Sequence, residues 1–329
     1  MTAVITEADW ARAAQILSGA DDICLACHVR PDADALGSML GLAQALPAQG
    51  RRVIASFGDA PFDVPAILRF LPALDRLSPP AEVPDRPQVM VTLDAGSIDR
   101  LGALAPRAAA AGELIVLDHH ASNAGFGTVN LVDPAAAATA VIASELIDRM
   151  EMPLTADVAT CLYAGLVTDT GSFKFSSTTP AVHELAARLL RAGVDPALVS
   201  RQLYDTAPFG YLGMLAKALN RARLEAEACG GLGLVWTTVT RADRGSLPMD
   251  AAESVIDEVR KTAEAEVAVV LKEDDAGTWQ VSVRSREVID VAKAAAALGG
   301  GGHARAAGFS ASGRPDAAVS ALRAALDER

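Results

Sequence analysis

Short apolar runs alternating with stretches of helical period set the plan of the first half of the chain. Residues 23–27, 53–57, 89–93 and 114–117 are hydrophobic throughout or nearly so, and each ends at a polar or glycine position. Apolar positions at helical spacing fill 36–49, which stops at Gly50, and 98–110, 137–150 and 156–167. Strands that are apolar on both faces and separated by helices predict a doubly wound parallel sheet, covered on both sides. One connection departs from the alternation: Pro61, Pro65, Pro72, Pro79, Pro80, Pro84 and Pro87 lie between the second and third strands.

From about 181 to 228 the pattern is helical, with Gly193 as a stop, Asp195-Pro196 as a restart and Pro208 as another boundary. A second alternating region then begins. Strands are predicted at 232–239, 267–272 and 279–284, with Asp274-Asp275-Ala276-Gly277 as a hairpin-like turn. Helices are predicted near 251–263, 290–298 and 315–327. The division that follows is an α/β domain over 1–184, a helical connector over 185–228 and a smaller α/β domain over 229–329. The active site is expected in the cleft between the two domains.

Composition narrows the class. At 329 residues, 51% hydrophobic and 21% charged, the chain has material for two cores and is not disordered. Only 4% of residues are aromatic, so those cores are aliphatic. Of the net charge of −12, residues 1–184 carry −11. That excess argues against a broad basic surface for long nucleic acid, but not against a small phosphorylated ligand. Cys24, Cys27, Cys161 and Cys229 are too few and scattered for a disulfide framework, and Cys24 and Cys27 are expected on opposite faces of a strand as buried thiols. The N-terminus lacks a secretory pattern and no apolar stretch approaches a membrane span, so a cytoplasmic protein is expected.

The polar residues that interrupt the apolar pattern fall at strand ends. The first strand runs into His28-Val29-Arg30-Pro31-Asp32-Ala33-Asp34, the third into Asp94, and the fourth into Asp118-His119-His120. Open α/β sheets bind ligands at that edge, so a parallel sheet would gather His28, Asp32, Asp34, Asp94 and His119 around one crevice. Neighbouring strands are about 5 Å apart, which lets their carboxylates bridge a metal pair at about 3.5–4 Å. Carboxylates gathered without cations would repel, so metal neutralises them most simply, and mixed His and Asp ligands suit Mn²⁺ ahead of Mg²⁺, Co²⁺ or Zn²⁺. Asp169 stands at a further element end, before Gly171. Asp118 also fits a turn cap and His28 a satisfied core histidine, whereas His183 has no such context and reads as surface or packing.

In the second half, Gly299-Gly300-Gly301-Gly302-His303 could bring backbone N–H groups close to an anion, with His303 adding a donor. A flexible turn is the simpler reading of such a run. Arg284 and Arg286 end a strand and could make bidentate phosphate contacts, and alternation puts Ser282 on the face of Arg284.

His28 to Asp34, Asp94, Asp118-His119-His120 and Asp169 resemble the four motifs of the DHH phosphoesterase superfamily. The run Gly299 to His303 resembles the glycine-rich signature of its DHH-associated C-terminal domain. The order and spacing are similar to those of the short bacterial oligoribonucleases that also act on 3'-phosphoadenosine-5'-phosphate, over essentially the whole chain. The resemblance implies two divalent ions, with His28 and Asp32 on the first, Asp34, His119 and Asp169 on the second, and Asp94 between them. It implies Asp118 as the residue orienting the histidine, His120 and Asn123 facing the substrate phosphate, and Arg284, Gly300, Gly301, Gly302 and His303 on the substrate side. A homodimer is also implied.

The expected activity is Mn²⁺-dependent hydrolysis of short oligoribonucleotides, above all dinucleotides, to mononucleoside 5'-phosphates, together with removal of the 3'-phosphate of 3'-phosphoadenosine-5'-phosphate. The alternative is a phosphodiesterase for cyclic di-AMP or its linear product. From another class comes a nucleotide-binding sensor without catalysis, which would be expected to lack at least one ligand. An inorganic pyrophosphatase is disfavoured by the glycine-rich run, and a long single-strand exonuclease by the chain's length.

Overall fold

A computed structural model describes residues 5–46 and 51–327 and divides into two compact units, Met1–Asp205 and Thr206–Arg329. The first contains α1 (Glu7–Gly19), β1 (Asp22–Cys27), α2 (Ala33–Ala45), β2 (Arg52–Phe57), β3 (Val89–Leu93), α3 (Ala105–Ala109), β4 (Glu113–Asp118), β5 (Val129–Val132), α4 (Thr139–Arg149), α5 (Ala156–Asp169), α6 (Pro180–Arg191) and α7 (Pro196–Tyr204). Its sheet has the order β2-β1-β3-β4-β5, with every pair parallel. This is the α/β architecture the alternation predicts, with a core on each face. Ile23, Leu25 and Cys27 of β1 enter one core with α2, α4 and α5, while Cys24 and Ala26 enter the other with Leu101, Leu104 and Ala108. All four cysteines are free and buried.

The helix α2 starts at Ala33, three residues before its first leucine, because Asp32 caps it by accepting from Asp34 N and Ala35 N. Nearly its whole surface is buried, and Leu36, Met39, Leu40 and Leu42 each contribute about 1.5–3 kcal/mol on leaving water. The predicted end of this helix, residues 47–50, lies outside the described residues. The stretch predicted as one helix over 98–110 is broken instead into a 3-10 segment, Ile98–Leu104, followed by α3. Gly102 is the cause: its φ of +54° places the backbone where a Cβ would collide with Val29 Cγ1 and meet Gly58 O at 2.8 Å.

Two elements of this unit had no predicted counterpart. In α1, Trp10, Ala13 and Leu17 are buried, and a capping box between Thr6 and Asp9 starts it. That Thr-x-x-Asp spacing was a readable signal. The other, β5, is four residues long and gains its place by pairing with β4.

The second unit contains α8 (Phe209–Asn220), β6 (Arg223–Glu225), α9 (Ala228–Gly231), β7 (Leu234–Val239), α10 (Arg241–Arg244), α11 (Val255–Val259), β8 (Val267–Glu273), β9 (Trp279–Ser285), α12 (Val291–Ala297), β10 (Gly301–His303), β11 (Ala306–Ala311) and α13 (Pro315–Asp327). Its sheet runs β10-β11-β9-β8-β7-β6 and is antiparallel except for the β7–β8 pair. The helices of 185–228 are shared between the units. Leu189, Val199 and Leu203 bury into the first core, whereas Met214 and Ala218 bury against Val235, Val239 and Val270 of the second. Among the described residues no helix is long and apolar enough to cross a membrane.

Candidate metal centre

Strand register builds the site. Cys27 pairs with Leu93 and Leu93 with Leu117, so the next residues, His28, Asp94 and Asp118, stand in one row at the C-terminal edge of the sheet, Asp118 as the last residue of β4. Asp94 N donates to Leu117 O at 3.0 Å, and Asp94 holds a φ of +57°. That left-handed backbone costs on the order of 1–2 kcal/mol, less for Asp than for most residues, and it turns the carboxylate back over the edge.

Two donor groups share Asp94. In the first, His28 Nε2 lies 3.7 Å from Asp32 Oδ2 and 3.5 Å from Asp94 Oδ2. In the second, His119 Nε2 lies 3.5 Å from Asp94 Oδ1, 3.9 Å from Asp34 Oδ2 and 3.2 Å from Asp169 Oδ2. The ligand atoms within each of the sets His28–Asp32–Asp94 and Asp34–Asp94–His119 fall within 4.8 Å of one another. Each oxygen of Asp94 therefore faces a different group. Asp32 is exposed while Asp34 and Asp94 are buried, so the first group opens to solvent.

Hydrogen bonds orient these donors. The Nδ1 of His28 bonds Val29 O at 2.9 Å and that of His119 bonds Ala136 O at 3.2 Å, which directs both Nε2 atoms at the carboxylates. Asp34 accepts from Thr139 N (2.6 Å), Ala140 N (2.9 Å) and Ser38 Oγ (3.0 Å), so the N-terminus of α4 holds it. The Thr139 hydroxyl donates to Asp94 Oδ1 at 2.9 Å. Sequence reasoning missed Thr139, Ser38 and Gly165, whose bare α-carbon lets Asp34 approach α5. Thr139 and Asp34 are 105 residues apart, and no local pattern announces such a contact.

Asp118 is fully buried and joins His120 rather than His119. Its Oδ1 meets His120 Nδ1 at 2.7 Å and its Oδ2 accepts from Asn123 Nδ2 at 2.7 Å. Asn123, expected to face substrate, is instead buried. Its amide also donates to Ala95 O, and its Oδ1 accepts from Gly125 N. Its hydrogen-bonding groups are spent inside the protein, which makes it a support for Asp118. His183 stacks on Phe173 at 5.2 Å, a packing role.

In the second unit, Arg284 pairs with Ala306, and Ala306 with His303, so one cross-strand row holds Arg284 and His303 on one face. Ser282 shares that face and accepts from Lys272 Nζ at 2.8 Å. Burial is the main influence on Arg284 and lowers its pKa. Arg286 donates to Ala263 O at 2.8 Å and serves the neighbouring turn. The end of the glycine run, Gly301 and Gly302, forms the edge strand β10 with His303, while Gly299 and Gly300 precede it. A Cβ at Gly300 would collide with Gly308 O and one at Gly302 with Ala306 O, so close approach to β11 demands glycine there, while Gly301 faces open space.

The DHH family, N-terminal domain, matches residues 22–166, and the DHHA1 domain matches residues 236–329. A bifunctional oligoribonuclease and PAP phosphatase of Thermus thermophilus is 35% identical over 291 residues, covering 88% of this chain and 84% of that protein. The chain belongs to the DHH family. A probable bifunctional oligoribonuclease and PAP phosphatase of Streptococcus mutans is 25% identical over 88% of this chain and 89% of its own length. A crystal structure of an exopolyphosphatase-related protein from Bacteroides fragilis, 24% identical, shares the fold with a TM-score of 0.86 over 100% of this chain and 98% of that one.

The donor set of this DHH-family site fits two hard or borderline divalent cations: carboxylates and imidazoles in two groups, one carboxylate common to both, and no thiolate. Without cations the imidazoles take their place as positive charge. Burial opposes charging His119, but Asp169, Asp94 and Asp34 outweigh it and push its pKa up to about 11. His28 is raised well above its usual value by Asp32 and Asp94, again against burial. Burial, helped by the neighbouring carboxylates, raises Asp34, and burial raises Asp169 to about 6. Cations in the two groups need one Nε2 lone pair each, from His28 and from His119, and must displace those protons. Metal affinity is therefore expected to rise with pH, by up to about tenfold per unit for each proton released. Calorimetry of Mn²⁺ binding in buffers of different ionisation enthalpy reads this directly. Heats independent of buffer, with constant affinity between about pH 6 and pH 8, would contradict it.

Proposed function

We propose that the chain hydrolyses dinucleotides and other very short RNA to mononucleoside 5'-phosphates, and removes the 3'-phosphate of 3'-phosphoadenosine-5'-phosphate. The observation that carries this reading is the placement of Asp94, with one oxygen toward His28 and Asp32 and the other toward His119, Asp34 and Asp169. The similarity to the Thermus enzyme along most of both chains supports the substrate class. A member of this family with its donor set complete is a hydrolase.

His28, Asp32 and Asp94 would hold one Mn²⁺, and Asp34, Asp94, His119 and Asp169 the other. Such a pair supplies charge neutralisation at phosphorus and a water acidic enough to attack at neutral pH. The chain's own residues do the rest. Thr139 and the start of α4 fix Asp34 and Asp94. Asp118 holds His120 by Nδ1 and, with Asp94, favours its protonated form against the effect of burial. In that form His120 donates to a phosphate oxygen. We assign to Arg284, the backbone of Gly300, Gly301 and Gly302, and His303 the hold on the rest of the substrate. The four buried free cysteines support a cytoplasmic setting.

Rates on a ribodinucleotide, 3'-phosphoadenosine-5'-phosphate, cyclic di-AMP and a long single-stranded RNA, measured side by side with Mn²⁺, test the proposal. The dinucleotide and the bisphosphate should turn over, with the long strand slow. Equal rates on long strands, or activity confined to cyclic di-AMP, would overturn it.

A further inference from the structure

The solvent-open side of the centre carries an arginine with no role so far. Arg100 lies on the 3-10 segment Ile98–Leu104, and its carbonyl accepts from Val29 N at 2.8 Å, next to His28. Ala103 N donates to Gly58 O at 3.1 Å, and Gly102 packs against Val29 and Gly58 too closely for any side chain. These contacts tie the segment to the loop that carries His28 and Asp32 and to the turn after β2.

Its side chain remains accessible to solvent, and among the described residues no carboxylate oxygen comes within 4.0 Å of the guanidinium. The carboxylates of Asp32, Asp94 and Asp59 nevertheless act on its charge, as does the cation of Arg30. Asp59 is already engaged, since its Oδ2 accepts from Arg30 N at 2.6 Å. Burial is the main reason the pKa of Arg100 is lowered, and Arg30 adds to it. An exposed guanidinium with no carboxylate oxygen within 4.0 Å among the described residues keeps its fork open to an arriving anion. Two divalent cations would cancel the charge of the ligand carboxylates, leaving this rim positive. Phosphate oxygens match the guanidinium fork in geometry and charge.

We propose that Arg100 is a catalytic residue whose guanidinium binds the non-bridging oxygens of the scissile phosphate on the His28–Asp32 side of the centre. The assignment rests on the phosphoesterase reading above. It concerns the scissile rather than a terminal phosphate because the backbone of Arg100 is fixed at 2.8 Å to Val29, the residue next to His28. Both substrates place their reacting phosphorus there, so both depend on the residue. Arg30, on the loop that follows β1, contributes positive potential.

The experiment compares R100Q, R100K and R100A with the wild type, all loaded with Mn²⁺, on the ribodinucleotide and on 3'-phosphoadenosine-5'-phosphate. R100Q should lose about 10²–10³-fold in kcat/KM on both, as for removal of one preorganised donor to a developing charge. R100K should lose less, because it keeps the charge without the fork. Added guanidinium, below denaturing concentration, should restore part of the activity of R100A, while Mn²⁺ affinity and melting temperature stay at wild-type values in all three. Activity of R100Q within about threefold of wild type would overturn the proposal. So would a loss on one substrate only, or an R100A that is not rescued and binds Mn²⁺ more weakly, which would mark a structural role. A wild type inactive on both substrates would sink the substrate reading instead. Binding of inorganic phosphate to the Mn²⁺-loaded protein then decides for Arg100, with about tenfold weaker binding by R100Q expected and equal binding refuting it.

Discussion

Asp94→Asn is expected to lower turnover by about 10³-fold or more while leaving the fold intact, because on the proposed two-ion reading several kcal/mol of transition-state stabilisation depend on both ions being held. The oxygens of Asp94 point to different donor groups, Oδ2 to His28 at 3.5 Å and Oδ1 to His119 at 3.5 Å. No other side chain described in the site does this. An amide keeps one acceptor oxygen but presents an NH₂ to the other group, where a cation would have to sit. Asparagine is the right replacement for the test because it tolerates the φ of +57°, whereas alanine would add backbone strain to the loss of the ligand.

The variant should also change the metal-free protein in a defined direction. The carboxyl of Asp94 is held well below its usual pKa by His28, His119 and His120, despite burial, and in return its charge raises all three imidazoles. With a neutral amide in place of that carboxylate, the imidazoles should titrate at lower pH, which NMR of the ring protons reads. Stoichiometry of Mn²⁺ by calorimetry should fall below two. Activity of D94N within about tenfold of wild type, with two ions still bound, would refute the bridging role.

These residues were legible because their signal is local. A parallel sheet whose strands end together makes the residue after each strand a site candidate, and His28, Asp94 and Asp118 followed from apolar runs of nearly equal register. Asp32 could be named for the same reason, although its second task as the cap of α2 was visible only in the structure. What lay beyond reach was the support. Thr139 belongs to an alanine-rich helix start that carries no chemical signature, and it matters because α4 begins beside Asp34 and Asp94. Asn123 was misassigned to substrate because its distance from His120 along the chain says nothing of which way the amide turns, and Asp118 and Ala95 decide that. The glycines before His303 were legible only in part. Their spacing allows an anion cradle or a turn, and only the approach of β11 shows that Gly300 and Gly302 are set by packing.

Gly165→Ala separates helix propensity from site geometry, and the two effects have opposite sign. Alanine in the middle of α5 should gain about 1 kcal/mol in an isolated helix. Here its Cβ would lie 2.5 Å from Asp34 Oδ1, 2.9 Å from Asp34 Cα and 3.3 Å from Ala140 Cβ. The first contact could be relieved by rotating a flexible side chain, but this carboxylate is held by Thr139 N, Ala140 N and Ser38 Oγ, and the second contact is with backbone. Helices α2 and α5 must therefore separate, and they meet through glycine elsewhere too: Gly37 packs on Cys161 O and Gly41 on Leu162. Overpacking of this kind costs about 1–3 kcal/mol, so the clash outweighs the propensity gain and the melting temperature should fall. The larger effect falls on activity, since displacing a ligand by about 1 Å can cost about 10²-fold in rate. Mn²⁺ affinity should weaken with it, because Asp34 faces only the second donor group and Asp169 and His119 cannot follow its shift. Gly19→Ala is the control: beyond its chain neighbours and its own helix backbone nothing lies within 4 Å of the place its methyl would occupy, and neither stability nor rate should drop. A G165A enzyme with wild-type turnover and tight Mn²⁺ binding would mean that Asp34 moves without consequence and is not a ligand.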